Sequence, residues 1–476
     1  MSSVSQSVVP SSLRTVPVLQ ILSHHIPMAA IQAVVARSAH GHERCRKLPG
    51  ELLVQLLIAV HLVPGGALDA ALASLLVPTG AIEAVPSATA SAISHARARW
   101  GVLPICRLWR LVARTLATPA TRGAWWFDYR VLALDETYYD VADTPANSRT
   151  FGRHRTARGT SAYPQLLALY LIECGTHAVL AARCWPCAMS VHRAVRSFLR
   201  HLSPETLLLW DAGIHSYAFA AAVRQRCGAF LARVPAHQTF EPVVFCSDGT
   251  VLALFYAAPP SRRRTDTPRF LVRVITYTVP DPQHPDQRRT YRLMTSLLAP
   301  RLYPVAALLQ GYHERWEIEL VVDEQKTHQR LLPTPLRSRT PTGVIQEFYG
   351  LLLAHAAIRA WMHEAALAAD CDPDRLSFAR CRHTLGLQVS WVASLDAATW
   401  DARIPTLCRV LATFRLPPRR LRRAPRARKR SWLKHRHCQR TRHYAIVSVP
   451  PFLDTVALCP PRGPAHLLLV PLAQAA

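Results

Sequence analysis

Two apolar stretches that each end in an aspartate decide the fold of this chain: Leu132–Asp135 (LALD) and Leu207–Asp211 (LLLWD). Short, uninterrupted apolar runs are typical of strands that are buried on both faces of a sheet. From Tyr129 onward the surrounding sequence also has the period of strands. We therefore predict that both aspartates lie on central strands, which is the placement that a metal site carried by a sheet requires.

The elements predicted around these stretches follow the order of a ribonuclease-H-like fold. Three strands of hairpin length precede a helix, a buried strand, a second helix and a last strand. Their ranges are Arg130–Val141, Gln165–Glu173, Ala178–Trp185, Val191–His201, Thr206–Asp211, Ser216–Arg226 and Ala229–Val234. The pattern predicts the α/β class, with a ribonuclease-H-like mixed sheet flanked by helices.

About a hundred residues after the second aspartate, a polar stripe runs through Tyr312, Arg315, Glu319 and Lys326. On an α-helix these positions fall within an arc of about 60°, so their side chains share one face. A carboxylate flanked by cations suits a metal ion and a phosphate together. Asp323 lies on the same face and is the alternative carboxylate if Glu319 is not the ligand.

The charge of the chain points to a polyanionic partner. Lys and Arg number 57 against 30 Asp and Glu, for a formal net charge of +27 and an isoelectric point near 10.5. Nucleic acid is the leading candidate. No run approaches the roughly 20 apolar residues of a spanning helix, and no secretory signal is evident, so we expect a cytoplasmic, nucleoid-associated protein without a membrane partner.

The densest basic run is Arg415–Arg442, with 13 Lys or Arg in 28 residues and no acid. Such a run cannot bury itself, and we predict an extended arm that neutralises phosphates. Its candidate DNA-binding residues are Arg422, Arg423, Arg428, Lys429 and Arg430. A solvated tail without a target is the alternative.

Composition and period divide the chain into six segments, with limits at 1–26, 27–118, 119–234, 235–300, 301–414 and 415–476. We predict, in that order, a flexible N-terminus, a helical DNA-binding domain, the first part of the catalytic core, an inserted antiparallel β subdomain, the second part of the core with C-terminal helices, and the basic arm with an apolar tail. Within the helical domain, the small-residue segment Ser87–Arg99 fits either a groove-reading helix or ordinary surface structure. The pair Cys184 and Cys187 lacks a second pair at zinc spacing, which favours simple packing.

The motifs around the two aspartates and the polar stripe resemble those of the insertion-element-four group of bacterial DDE transposases. The segment Tyr312–Lys326 carries the group's Tyr-x2-Arg-x3-Glu-x6-Lys signature with matching spacing. Further similar motifs are Asp135–Thr137, Asp143–Asn147, Phe151–Gly152, Asp211–Gly213, Phe230–Val234, Leu336–Ser338 and Gln346–Glu347. Two departures occur: Glu136 stands where the group usually has Gly, and Ala212 where it usually has Arg. Both leave the metal ligands in place, so we expect them to affect the rate more than the activity.

The resemblance implies DNA transposition by two-metal catalysis. Asp135, Asp211 and Glu319 would be the catalytic carboxylates and would hold two Mg²⁺ ions, which Mn²⁺ could replace. Water would cleave the phosphodiester at an end of the element, and the freed 3′-hydroxyl would then attack target DNA at the same site. Tyr312, Arg315, Lys326 and Arg337 would contact double-stranded DNA at the terminal inverted repeats, and pairing of two ends implies a homodimer.

Two alternatives share the fold and the charge. One is a domesticated or relic DNA-binding protein without catalysis, and the other is a structure-selective nuclease that cuts without joining. The intact carboxylates favour the transposase.

Overall fold

A computed structural model describes residues 18–38, 49–62, 71–72, 90–156, 159–281, 286–330, 335–392, 395–417, 422–423, 447–448 and 450–460. Of the predicted flexible N-terminus at 1–26, residues 1–17 lie outside these ranges, whereas 18–26 are described and include a helix at Val18–Ser23. The arm residues Arg428, Lys429 and Arg430 also lie outside these ranges.

The centre of the fold is a mixed sheet built around one long strand. Its strands in this part of the chain are β1 (Trp125–Trp126), β2 (Tyr129–Asp140), β5 (Gln165–Glu173), β6 (Ala178–Pro186), β7 (Thr206–Trp210) and β8 (Ala229–Arg233). The short strands β3 (Arg155–Thr156) and β4 (Gly159–Thr160) pair with each other in a separate two-stranded sheet. The first five strands of the sheet have the order β6-β5-β2-β7-β8. The β5 and β6 pairings are antiparallel, whereas β2, β7 and β8 pair in parallel. The mixed α/β architecture predicted from the sequence is confirmed.

The four strands predicted between residues 235 and 300 form, and they extend the same sheet. They are β9 (Glu241–Phe245), β10 (Val251–Tyr256), β11 (Arg269–Pro280) and β12 (Arg288–Thr295). Antiparallel pairing of β12 with β8 joins them to the core. The insertion is therefore continuous with the sheet instead of standing apart as a subdomain, because it covers the edge of β8, whose backbone groups would otherwise lack partners. Two short strands, β13 (Arg422–Arg423) and β14 (Val447–Ser448), pair with each other in a separate sheet. A further short strand, β15 (Ala457–Leu458), pairs with β11.

Helices cover both faces of the sheet. They are α1 (Val18–Ser23), α2 (Met28–Ala36), α3 (Gly50–Ala59), α4 (Ala90–Trp100), α5 (Leu103–Val112), α6 (Pro145–Phe151), α7 (Val191–Ala194), α8 (Tyr217–Arg224), α9 (Val305–His313), α10 (Glu317–Asp323), α11 (Pro341–Ala368), α12 (Phe378–Val392), α13 (Ala397–Ala412) and α14 (Phe452–Thr455). Alternate residues of β2 pack on opposite faces of the sheet. Val131 and Ala133 join the core that contains α11, while Leu132 and Leu134 join the core that contains α8.

The N-terminal helices pack directly on α11, so the predicted helical domain shares a core with the rest of the protein. Helix α11 is buried along most of its length because helices cover it on the side away from the sheet. The indole nitrogen of Trp361 donates to the Ile21 carbonyl at 2.7 Å. A Cβ at Gly350 would lie 2.3 Å from the Leu57 carbonyl oxygen, so glycine permits this close approach.

The polar stripe does not lie on one continuous α-helix, contrary to the prediction. After α9, a 3₁₀ turn spans Glu314–Trp316, α10 follows, and the segment Glu324–Gln329 is a π-helix. Buried polar contacts hold this π segment. The carboxylate of Glu324 accepts from His355, and the amide oxygen of Gln325 accepts from the hydroxyl of Tyr139. Irregular helical turns of this kind occur frequently at functional sites.

Among the helices of the described ranges, none combines the length and the apolar composition needed to cross a bilayer.

Candidate active site

The parallel pairing of β2 with β7 brings the two aspartates together. Leu134 is the register partner of Trp210, so Asp135 and Asp211 follow side by side at neighbouring positions. The local reason is the apolar run before each residue, which buries the strand and leaves the carboxylate at the end of the buried stretch.

A third carboxylate, that of Glu136, joins this pair. Asp135, Glu136 and Asp211 each offer an oxygen, and these oxygens lie within 4.8 Å of one another. From the sequence, Glu136 is only a departure from the family pattern and is not a predicted ligand. A regular strand sends neighbouring side chains to opposite faces, so sequence spacing contained no signal that Asp135 and Glu136 would converge.

The electrostatics of this group favour a bound cation. Burial, followed by the charges of Asp211 and Glu136, raises the pKa of Asp135 to about 7, although Arg315 acts in the opposite direction. Burial and Asp211 also raise the pKa of Glu136. One oxygen of Glu136, Oε2, is buried and has no hydrogen-bond partner among the described residues. Converging carboxylates with an unsatisfied oxygen are a donor set that fits hard divalent ions such as Mg²⁺.

Glu319 is not one of the converging carboxylates, and Arg315 links it to them by contacting both Glu319 and Asp135. The guanidinium of Arg315 contacts Asp135 Oδ2 at 3.1 Å through Nη1 and Glu319 Oε1 at 2.9 Å through Nη2. The Glu319 side chain is 42% exposed, against 20% for Asp135. Arg315 therefore lies between two of the three predicted metal ligands.

A cleft of about 300 Å³ opens beside these side chains, and both strand and helix residues line it. Its lining includes Asp135, Glu136, Glu319, Asp323 and Lys326. Asp323 forms an ion pair with His328 at 3.2 Å. The cleft is large enough for a phosphate group with bound ions.

Lys326 is placed in the cleft by contacts with β2. Its ammonium donates to the Thr137 hydroxyl at 2.6 Å and to the Tyr138 carbonyl at 2.7 Å, and it lies over the ring of Tyr139. Burial lowers the pKa of Lys326 to about 8. A partly desolvated cation beside a carboxylate group is suited to an anionic ligand.

The remaining predicted DNA contacts have different surroundings. The hydroxyl of Tyr312 donates to the Trp210 carbonyl at 3.4 Å, so this side chain packs beneath Asp211. Arg337 has an exposed side chain on a loop whose backbone is held by the carboxylate of Glu347, which accepts from the Arg337 N–H at 3.0 Å. Arg422 and Arg423 belong to a short strand that pairs with Val447–Ser448.

Helix α4 contributes a structural arginine. Arg97 donates to Gln346 Oε1 at 3.0 Å, to the Ser338 hydroxyl at 2.9 Å and to the Gly343 carbonyl at 2.8 Å. These bonds explain why Gln346 occurs beside Glu347 in the motif. They commit Arg97 to the contact between α4 and α11, which does not favour the groove-reading interpretation of the Ser87–Arg99 segment at this residue.

Comparisons with known proteins identify the family of the chain. The chain matches two family models: Insertion element 4 transposase N-terminal over residues 17–110 and Transposase DDE domain over residues 126–356. It is 27% identical over 426 residues to "Transposase InsG for insertion sequence element IS4" of Escherichia coli (strain K12), across 87% of this chain and 93% of that protein. It is 23% identical over 211 residues to "Putative transposase InsZ" of the same organism, across 44% of this chain and 69% of that protein.

A solved structure, "Cryo-EM structure of piggyBac transposase synaptic complex with hairpin DNA (SNHP)", aligns with a TM-score of 0.43 and 11% identity over 84% of this chain and 86% of that one. That similarity is too low to bear on the site. The family models match both the N-terminal helices and the sheet that carries Asp135 and Asp211, and the DDE domain implies DNA cleavage and the use of divalent metal ions. The chain belongs to the insertion element 4 family of DDE transposases.

Proposed function

We propose that this transposase cleaves phosphodiester bonds at the ends of its insertion element and joins the freed 3′-hydroxyl to target DNA, with two Mg²⁺ ions that Mn²⁺ can replace. The observation that carries the proposal is the convergence of Asp135, Glu136 and Asp211, the first two of which line the same cleft as Glu319. Bound divalent ions supply a nucleophile at neutral pH and stabilise the charge on the leaving oxygen.

The side chains of the cleft divide the remaining work. Asp135 and Asp211 hold the metal ions from the sheet, and Glu319 does so from α10, with Glu136 as a further carboxylate ligand. Arg315 orients the carboxylates of Asp135 and Glu319 through its two contacts. Lys326 binds a phosphate oxygen as a point charge.

Double-stranded DNA is the proposed substrate, both as terminal inverted repeats and as target, and a homodimer pairs the two ends. The formal charge of +27 supports binding to DNA backbones, with an affinity that decreases as salt rises. Arg337, which is exposed on its loop, and the arm residues Arg422, Arg423, Arg428, Lys429 and Arg430 are the proposed backbone contacts. Tyr312 is proposed to act by packing beneath Asp211, since its hydroxyl donates to the Trp210 carbonyl.

The test is a cleavage and joining assay with purified protein, Mg²⁺ and DNA that carries the element's ends. Asp135→Asn, Asp211→Asn and Glu319→Gln should each abolish cleavage and joining while DNA binding persists. Asp323→Asn is the matched control, because Asp323 lines the same cleft and is paired with His328. Retained cleavage in Glu319→Gln together with its loss in Asp323→Asn would transfer the metal-binding role to Asp323.

The outcomes also separate the alternative functions. Cut and joined products support the transposition reaction. Binding without cleavage by the wild-type protein at any Mg²⁺ or Mn²⁺ concentration identifies a relic or domesticated DNA-binding protein, and cleavage without joining identifies a nuclease.

A further inference from the structure

A second cluster of metal-binding side chains lies far from the cleft, where the turn after α1 meets α11. His24, His25 and Glu364 each offer one ligand atom, and these atoms lie within 4.8 Å of one another. The cluster joins residues that are 340 positions apart in the chain. We propose that His24, His25 and Glu364 form a zinc site that fixes the N-terminal helices to α11.

Both separations between a histidine nitrogen and the Glu364 carboxylate fit a single tetrahedral ion, and all three ligand atoms lie within 4.8 Å of one another. His24 Nε2 lies 3.1 Å from Glu364 Oε1, and His25 Nε2 lies 3.8 Å from the same oxygen. Zinc binds imidazole nitrogen at about 2.0–2.1 Å and carboxylate oxygen at about 2.0–2.2 Å, so two ligands at the tetrahedral angle are about 3.3–3.5 Å apart. The observed separations bracket this value, and small rotations of exposed side chains would equalise them.

The burial of His25 Nε2 is a second, independent observation that supports a bound metal ion. The His25 side chain is only 5% exposed, and its Nε2 atom is buried without a hydrogen-bond partner in the described part of the chain. An unsatisfied buried ring nitrogen normally costs free energy, and a metal ion at this position would satisfy it. A hydrogen bond between His24 and Glu364 alone would leave the buried Nε2 atom of His25 without a hydrogen-bond partner among the described residues.

The surroundings hold both imidazole rings in place. Trp361 stacks on His24 with ring centroids 5.0 Å apart and meets His25 edge to face at 5.2 Å. The same indole donates to the Ile21 carbonyl, so a hydrogen bond joins α1 to α11 beside the two histidines. His24 and Glu364 have side chains that are 34% and 37% exposed, which leaves a fourth position open to water. Two histidines, one carboxylate and one water form a common coordination set for Zn²⁺.

The experiment titrates the full-length protein with Zn²⁺ alone, in excess Mg²⁺ so that the carboxylates at Asp135 are occupied. Metal content after dialysis gives the stoichiometry, and Co²⁺ in place of Zn²⁺ gives the visible absorption of a tetrahedral site. We expect one bound Zn²⁺ per chain, a higher thermal unfolding midpoint, and protection of the segment 18–38 from protease. The variant Asp135→Asn should bind this ion as the wild type does.

The decisive variants alter the two exposed ligands, whose replacement leaves the core intact. His24→Gln and Glu364→Gln should weaken Zn²⁺ binding by more than the roughly 10–100-fold that follows loss of an outer-shell partner. His328→Gln is the matched control, because His328 also pairs with a carboxylate, at 3.2 Å, and belongs to no described three-ligand group. Wild-type zinc binding by both ligand variants, or loss of the bound ion in Asp135→Asn alone, would overturn the proposal. A failure of transposition activity would not affect it, since the readouts are metal content, spectrum and stability.

Discussion

Replacement of Glu324 by glutamine should destabilise the protein more than any exposed charge change near the cleft. Glu324 begins the π segment that carries Lys326, and its carboxylate is buried. It accepts hydrogen bonds from His355 Nε2 at 2.9 Å and from Arg359 Nε at 2.9 Å, with a further bond from Arg359 Nη2. Glu324→Gln keeps the size of the side chain but removes the charge that Arg359 faces.

The magnitude follows from the burial of both partners. The side chains of Arg359 and Glu324 are 1% and 8% exposed, so water cannot solvate the guanidinium once its counter-charge is removed. Breaking a buried ion pair from one side typically costs about 3–5 kcal/mol. The neighbouring pair of Asp323 and His328 has side chains that are 52% and 44% exposed, and such surface pairs contribute about 0–1 kcal/mol.

Urea unfolding followed by circular dichroism measures the difference in the free energy of unfolding, with Asp323→Asn as the control. We expect a loss of about 3–5 kcal/mol for Glu324→Gln and at most about 1 kcal/mol for the control. The double variant Glu324→Met with Arg359→Met should recover much of the loss, because it removes both charges together. Equal midpoints for Glu324→Gln and Asp323→Asn would refute the reasoning.

Three further predictions concern the cleft, a buried histidine and a helix contact. Burial lowers the pKa of Lys326 to about 8, so DNA cleavage should decline as the pH rises above about 8. Lys326→Arg should move this decline to higher pH. Identical pH profiles of cleavage for the wild type and this variant would contradict the prediction. Burial lowers the pKa of His61 to about 4, so the unfolded chain takes up a proton near pH 6.5 before the folded chain does. This difference should contribute about 3 kcal/mol to the fall in the free energy of unfolding between pH 6.5 and 4. His61→Leu should remove that share, whereas the exposed control His95→Leu should retain it, and an equal pH dependence of the two variants would contradict the assignment. Gly350→Ala would place a methyl group 2.3 Å from the Leu57 carbonyl oxygen and should cost about 1–3 kcal/mol, which an unchanged urea midpoint would disprove.

Glu136 adds a carboxylate to the site at which we propose that metal ions bind. Its unpartnered oxygen lies within the same group as Asp135 and Asp211, where the family usually has glycine next to the first aspartate. An additional carboxylate increases the negative charge that bound cations neutralise. Two neighbouring residues of β2, Asp135 and Glu136, therefore set the local charge at this site together with Asp211.

Sequence alone determined the class of the fold and the family. Apolar runs such as 132–134 and 207–209 are typical of strands buried in a sheet, and both are strands here. Asp135 lies on β2 as predicted, whereas Asp211 directly follows the last residue of β7 and does not lie on the strand. The spacing from Tyr312 to Lys326 identified the family because it depends on local chain distance, which sequence records directly.

Tertiary structure alone decided which side chains meet. The register of β2 with β7 brought Asp211 beside Asp135, and Glu136 joins the same carboxylate group. Part of the predicted α-helix is a π-helix whose buried side chains contact partners distant in the chain. The same long-range packing placed Arg315 between Asp135 and Glu319, committed Arg97 to Gln346, and joined His24 to Glu364. Such contacts depend on the free energy of burying polar groups with specific distant partners, and local periodicity contains no information about that energy.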